Sequence, residues 1–327
     1  MIQRMNLLLL CVLLALSPVV ADTKPSLTPM TPPVISLTGG EALTVNADFT
    51  FEDPGFTATD YTGAALTDRV TVEGTVVPYL VGEYVLTYTV ADDYGQQTQA
   101  TRTVTVVPVE LPEVVPPPPK TIYLTFDDGP CYNTEILLNT LKKYDVKATF
   151  FVVGNRGMED LIKRAYEEGH AIGVHSYTHV YTDIYASEEA FLADFMATEE
   201  VIKAQTGQYT TIFRFPGGSH NTASWDTPGI MSRLTKIMED MGYRYFDWNV
   251  NSLDASDNNN SMTIFDYYCS IRSHLQPDDS FNIVLQHDLN GASVRALETF
   301  IPWALENGYT FLPLDMTSPV MHTPVNN

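Results

Sequence analysis

Two adjacent carboxylates, Asp127 and Asp128, close the apolar run Ile122-Tyr123-Leu124-Thr125-Phe126 and precede Gly129-Pro130. Paired acids at the end of a buried strand are costly, because each raises its neighbour's pKa and both lose solvation. A bound cation relieves both penalties. His175 and His179, four residues apart in His175-Ser176-Tyr177-Thr178-His179, follow a second apolar run, Ala171-Ile172-Gly173-Val174, and can present both imidazoles to one point. With one carboxylate they make a three-ligand set that leaves a coordination position open for water, as catalytic rather than structural metal sites do. A third cluster, His287-Asp288, follows Phe281-Asn282-Ile283-Val284-Leu285. Taken singly these signals are weak: an Asp-Asp pair is usually a turn, and a His pair at this spacing is more often surface or core than ligand. Their joint placement at strand ends is much stronger.

The elements that would hold them alternate regularly. Thr134 to Tyr144 carries helical spacing in Ile136, Leu137 and Leu141, Ala148 to Val153 reads as a strand, and Met158 to Glu168 reads as a helix ended by Gly169. Glu188 to Thr206 is a longer helix ended by Gly207. Strand and helix in alternation imply α/β architecture, a parallel sheet with outer helices, either a barrel or a doubly wound sheet. In both, chemistry gathers at the carboxyl ends of the strands, where the three clusters fall.

The rest of the chain frames this part. Its 327 residues correspond to about two domains. Lys and Arg number 18 against 40 Asp and Glu, a net charge of -22, the wrong sign for a protein that neutralises phosphates along nucleic acid. Arg4 is the only charge before the run Leu7 to Leu16, and Ser17-Pro18 and Val19-Val20-Ala21 follow, so residues 1–21 read as a signal peptide cut after Ala21. The run falls short of the ~20 apolar residues of a membrane span, and no later segment reaches that length. The mature chain is therefore expected to be secreted, facing the cell envelope, with no stable membrane span. Cys11 leaves with the signal, and Cys131 and Cys269 remain as a pair or as two free thiols.

Residues 31–108 show short alternating runs parted by Gly, Pro and Asp turns. The clearest are Tyr84 to Val90 and Thr101 to Val107, hairpin partners across Asp92-Asp93-Tyr94-Gly95. This predicts a small all-β sandwich. Phe51-Glu52-Asp53-Pro54-Gly55-Phe56 and Val81-Gly82-Glu83-Tyr84 resemble bacterial immunoglobulin-like modules of surface proteins, although the segment has no Cys or Trp. A spacer role is preferred to glycan binding. Residues 109–119, with four successive prolines from Pro116 to Pro119, read as a semi-rigid linker. The polar, Pro-containing tail, residues 316–327, reads as disordered.

Across residues 120–315, five ordered stretches resemble the motifs of the polysaccharide deacetylases, the NodB-homology carbohydrate esterases. They are Thr125-Phe126-Asp127-Asp128-Gly129-Pro130, His175-Ser176-Tyr177-Thr178-His179, Arg214-Phe215-Pro216-Gly217-Gly218, Asp247-Trp248-Asn249-Val250-Asn251-Ser252-Leu253-Asp254 and Leu285-Gln286-His287. The resemblance implies a distorted (β/α) barrel and metal-dependent removal of acetyl groups from N-acetylglucosamine residues. By residue it implies Asp128, His175 and His179 as ligands of a divalent metal, zinc being usual, and Asp127 as general base. It further implies Arg214 tuning Asp127, His287 as general acid and Asp254 orienting it. Pro216, Gly217, Leu285 and Trp248 would meet the substrate, with Leu285 along the acetyl methyl, a Gly217 N–H toward the oxyanion and Ser176 bracing the histidine loop. Where the family often carries an aromatic residue, this chain has Gly217, and Ala255 stands where a Trp is frequent; a more open or differently walled acetyl pocket is expected. The implied substrate is an acetylated polysaccharide, peptidoglycan first, with chitooligosaccharide or O-acetylated xylan as alternatives. A glycan-binding surface protein with an inactive deacetylase-like domain is the non-enzymatic alternative.

Overall fold

The structure, a computed structural model, describes residues 31–256, 261–276, 281–325 and 327. The expected signal peptide lies outside them. Among the described residues no helix is long and apolar enough to cross a membrane.

The first part is strand-rich. β1 (Val34–Leu37) pairs antiparallel with β3 (Phe56–Thr59), while β2 (Ala42–Asn46), β4 (Thr71–Glu73), β5 (Gly82–Ala91) and β6 (Gln97–Val107) form a second sheet in the order β2-β6-β5-β4. Side chains alternate along a strand, so β5 buries Leu86, Tyr88 and Val90 and β6 buries Arg102, Val104 and Val106. Arg102 is the exception to an apolar row. Its guanidinium pairs with Asp53 and donates to the carbonyls of Thr38, Gly40 and Gly55, so every part of this buried charge is answered.

This part does not stand off from the next. Phe49 packs on Phe195 and Tyr243 with ring centroids 6.1 and 6.0 Å apart, and the Tyr79 hydroxyl donates to Glu189 at 2.9 Å. The proline-rich segment is also held: Val109 N–H donates to the Asp240 carbonyl, Val115 N–H to the Thr317 carbonyl, and Arg244 Nη2 to the Pro112 carbonyl. A free rod was the expectation; carbonyls and the few remaining N–H groups instead find partners on the second part.

The second part alternates as its sequence requires. β7 (Thr121–Asp127), α1 (Tyr132–Lys143), β8 (Thr149–Val153), α2 (Asp160–Glu167) and β9 (Ala171–Ser176) are followed by a single turn, α3 (Tyr181–Ile184), and the long α4 (Glu188–Thr206). Then come β10 (Ile212–Phe213), α5 (Ile230–Asp240), β11 (Arg244–Tyr245), β12 (Val250–Asn251), α6 (Ile264–His274), β13 (Asn282–His287), α7 (Gly291–Glu306) and β14 (Thr310–Phe311). The strands form one parallel sheet in the order β11-β10-β9-β8-β7-β13-β12, with β14 against the start of β7. Only residues 246–249 separate the edge strands β11 and β12, so the sheet is forced to curl into a distorted barrel with an open seam. Alternate residues divide between two layers. Tyr123, Phe151, Ile212, Phe246 and Ile283 cluster in the barrel interior, and Ile122, Leu124, Phe126 and Phe150 pack outward on the helices. β7, central in the sheet, is buried along its whole length, which places the carboxylates at its end in a dry setting.

The tail corrects the expectation of disorder. His322 stacks on Tyr245 at 3.7 Å, Asp247 N–H donates to the Met321 carbonyl, Thr323 N–H donates to Asp247 Oδ2, and Asn327 bonds Ser224, Gly229 and Ser232. A composition without apolar period gives no sign of burial. The tail is fixed instead by the unpaired groups at the β11 edge, which need partners.

Candidate active site

The carboxyl ends of β7, β9, β13 and the loop after β12 open into one cleft of about 580 Å³. It is lined by Asp127, Asp128, His175, His179, Trp248, Asp254, Leu285 and His287, with Tyr181 and Gly217 at one side.

Asp128, His175 and His179 converge. His179 Nε2 lies 3.1 Å and His175 Nε2 3.5 Å from Asp128 Oδ1, and one ligand atom from each lies within 4.8 Å of the others. Asp128 (φ 75°) and His179 (φ 57°) both occupy the left-handed region, a conformation costly for residues with a Cβ and typical of functional sites. Burial opposes ionisation of Asp128, but the neighbouring imidazoles of His175, His179 and His287 hold it well below the usual carboxylate range. The residues fit a divalent cation. Asp128 Oδ1 is buried and takes no hydrogen bond, and His175 Nδ1 donates to the Arg214 carbonyl at 2.8 Å, which leaves Nε2 as the lone pair facing the carboxylates.

Asp127 is held from the opposite side. Arg214, fully buried, donates from Nη1 to Asp127 Oδ1 at 2.9 Å and to Thr125 Oγ1 at 2.6 Å, and from Nε to the Phe246 carbonyl at 2.8 Å. The guanidinium also lies over the rings of Phe151 (4.5 Å) and Trp248 (5.6 Å). His287 Nδ1 sits 2.7 Å from Asp254 Oδ1. Burial favours the neutral imidazole, but the Asp254 hydrogen bond and charge, with the charges of Asp127 and Asp128, outweigh it and push the ring up to about 9.

Of the residues expected at the substrate, Gly217, Leu285 and Trp248 line the cleft, Trp248 half-buried with one edge against His220. Pro216 does not line it; its carbonyl accepts the Tyr185 hydroxyl at 2.8 Å. At Gly217 a Cβ would lie 3.0 Å from Asn221 Cβ and 3.2 Å from the Tyr181 ring. Ser176 Oγ accepts from His179 N–H at 2.9 Å and so braces the histidine loop.

Sequence reasoning missed what stands behind that brace. Asp194 of α4 accepts from Ser176 Oγ (2.6 Å), Tyr177 N–H (2.7 Å), Thr178 N–H (2.9 Å) and Thr178 Oγ1 (2.8 Å). Its signal was present: with Phe191, Phe195 and Thr198 it falls on the inward stripe of α4, where a carboxylate needs a reason. Ser293 of α7, which donates to Asp254 Oδ2 at 2.8 Å, left no such trace. Asp288 is fully buried against Gly129, where a Cβ would collide with its carboxyl, and accepts from Thr134 Oγ1. Burial pushes its carboxyl up to about 7. Cys131 and Cys269 are both free thiols.

The curled parallel barrel gathers carboxylate and imidazole groups at the carboxyl ends of its strands. Comparison with known proteins gives the family. The profile of polysaccharide deacetylases matches residues 114–246, and that of the Ig-like domain of bacterial surface proteins matches residues 35–106. A peptidoglycan-N-acetylglucosamine deacetylase of Bacillus cereus is 34% identical over 211 residues, covering 63% of this chain and 72% of that protein. Among solved structures, the catalytic domain of the peptidoglycan N-acetylglucosamine deacetylase from Eubacterium rectale superposes with a TM-score of 0.64 at 45% identity, covering 66% of this chain and 98% of that one. A polysaccharide deacetylase from Bacillus cereus superposes with a TM-score of 0.54 at 32% identity, covering 62% and 96%. The chain belongs to the polysaccharide deacetylase family, hydrolases acting on amide bonds, and carries an N-terminal Ig-like domain.

Proposed function

We propose that the chain is a secreted, zinc-dependent deacetylase that hydrolyses the N-acetyl group of N-acetylglucosamine residues in peptidoglycan. The observation that carries this reading is the convergence, in one cleft, of a three-ligand set with two separately tuned groups, Asp127 under Arg214 and His287 under Asp254. The substrate step rests on relatives that are named for peptidoglycan. Secretion rests on residues 1–21 and their apolar run.

Asp128, His175 and His179 would hold the metal, which when bound supplies a Lewis acid and a water acidified toward neutrality. Asp127, paired with Arg214 and fixed in place by it, accepts the proton of the attacking water. The Gly217 backbone N–H faces the oxyanion, a donor that needs no reorganisation during reaction. His287 gives its proton to the departing nitrogen, and Asp254 keeps that proton in place beforehand. Leu285 and Trp248 wall the acetyl group. Pro216, whose carbonyl is tied to Tyr185, sets the turn that presents Gly217.

The test is acetate release by residues 22–327, metal-stripped and then restored with zinc, from purified peptidoglycan and chitopentaose in parallel. Zinc-restored release from peptidoglycan is expected. Release from chitopentaose alone would move the substrate to chitin-like chains, and silence on both with zinc bound would overturn the reading.

A further inference from the structure

The Ig-like part touches the catalytic part at one end and presents two aromatic rings at the other. The chain enters β5 beside α4, where Tyr79 reaches Glu189, and the ten residues of that strand carry it about 30 Å away before the turn Asp92-Asp93-Tyr94-Gly95. At that far end Tyr94 meets Tyr61, which follows β3, with ring centroids 6.4 Å apart and planes inclined at 62°. The two are 56% and 51% exposed, although an aromatic ring left in water forgoes the burial it normally gains. Neither sits on a loose loop: Asp60 Oδ1 accepts from the N–H groups of Thr62 and Ala64, and Asp92 Oδ1 from those of Tyr94 and Gln96. The surroundings are negative. Residues 31–108 hold ten Asp and Glu against Arg69 and Arg102, of which Arg102 is buried on Asp53 and Arg69 is spent on Asp93 at 2.8 Å. Asp92 is only 6% exposed, and its Oδ2 finds no hydrogen-bond partner among the described residues, so a carboxylate oxygen is buried here unanswered. The Tyr61 phenol is pushed above its ordinary value first by its hydrogen bond with Tyr94 and further by the charges of Asp60 and Asp92, which puts both carboxylates within electrostatic reach of the rings.

We propose that this far end of the Ig-like domain is a binding site for cationic amino sugars, with Tyr61 and Tyr94 as its contact residues, so that the protein holds on to glycan from which acetyl groups have already been removed. The inference rests on the deacetylase reading, which supplies the ligand: hydrolysis of the N-acetyl amide releases acetate and leaves an amine that takes up a proton. An ammonium over a tyrosine face is attracted by the ring quadrupole, and carboxylates nearby add Coulomb attraction. The C–H face of the sugar ring suits the second tyrosine. An acetylated sugar brings no charge to answer Asp92, and an anionic polymer is repelled by the same field. The spacer role expected from sequence gives way to a module that is docked at one end and binds at the other.

The experiment is calorimetry on zinc-loaded residues 22–327 carrying Asp127→Asn, so that neither sugar is turned over, at about pH 6, where the sugar amine is protonated. The titrants are the tetrasaccharide of β-1,4-linked glucosamine and, separately, chitotetraose, with acetate release by the protein with Asp127 intact measured alongside. Adding Tyr61→Ala and Tyr94→Ala together is expected to weaken binding of the glucosamine tetrasaccharide at least about tenfold, the value of two cation–π contacts, and to leave the Kd of chitotetraose and the rate of acetate release unchanged. Tyr94→Lys, which sets a like charge at an exposed position, should do the same. Salt at about 1 M, where charges are screened within about 3 Å, should weaken the wild-type interaction as well. A Kd for the glucosamine tetrasaccharide unmoved by either tyrosine variant would overturn the site even if acetate is released. An equal loss of chitotetraose binding would make it a platform for neutral sugars and overturn the assignment to cationic ones. Tyrosine-dependent binding without acetate release would leave the site standing and overturn the deacetylase reading instead.

Discussion

Asp254 grips His287 at two points: Oδ1 lies 2.7 Å from the ring Nδ1, and Oδ2 accepts the His287 backbone N–H at 2.8 Å. A carboxylate bound to both ring and main chain fixes the rotation of the imidazole as well as its charge. Ser293 holds the carboxylate in turn, so His287 is set by residues from the loop after β12 and from α7.

The alkaline limb of kcat/KM follows from this grip. A pKa raised to about 9 keeps the donor protonated below that pH, and activity is lost as pH rises through it. Asp254→Asn removes the charge that raises the ring, so the limb should move toward the ordinary histidine value of about 6.5 and the maximal rate should fall roughly 10²-fold or more. A pH–rate profile of both proteins decides, and an unmoved limb would remove His287 from the role of acid.

Asp194→Ala should act on metal retention, not on chemistry. The substitution strips acceptors from Ser176, Tyr177 and Thr178 and frees the loop that carries His179. Loss of a residue that orients a ligand typically weakens metal binding about 10- to 100-fold. Zinc competition against a chromophoric chelator should show that loss, with kcat largely recovered at saturating zinc.

How much of this was open to reading from the chain depends on where each residue stands. The residues expected as ligands and acid–base groups end or closely follow apolar strands, so Asp127, Asp128, His175, His179 and His287 announce themselves as polar groups where burial is expected. The residues that orient them come from surfaces far away in sequence, such as Ser293 beside Asp254, and only the closed barrel brings them together. Asp194 lies between: its helical stripe marks it as buried, but nothing local says that it faces the histidine loop. The docked linker and tail were misread because both are held by scattered hydrogen bonds and single packed side chains, which leave no apolar period.

Arg214→Met should cost stability as well as activity. Asp127 would remain in a dry site with its charge partner gone, and breaking a buried pair this way costs about 3–5 kcal/mol. Asp127→Asn, which removes the charge itself, should abolish acetate release at a much smaller stability cost. Urea unfolding of both variants separates the two effects, and equal destabilisation would show that the pair contributes little to holding the barrel.

Phe49→Ala tests whether the Ig-like part is a brace or a detached spacer. Its ring lies against Phe195 and Tyr243, and Phe195 is the residue after Asp194, so the contact reaches the helix that holds the histidine loop. A half-buried aromatic at such a junction should be worth about 1–3 kcal/mol of domain coupling. The wild type is then expected to unfold in one transition and Phe49→Ala in two, as read by calorimetry, with the second transition at the temperature of residues 109–327 expressed alone. Two coincident transitions in both full-length proteins would mean that the parts already unfold independently, and that the Ig-like domain touches the catalytic barrel without steadying it.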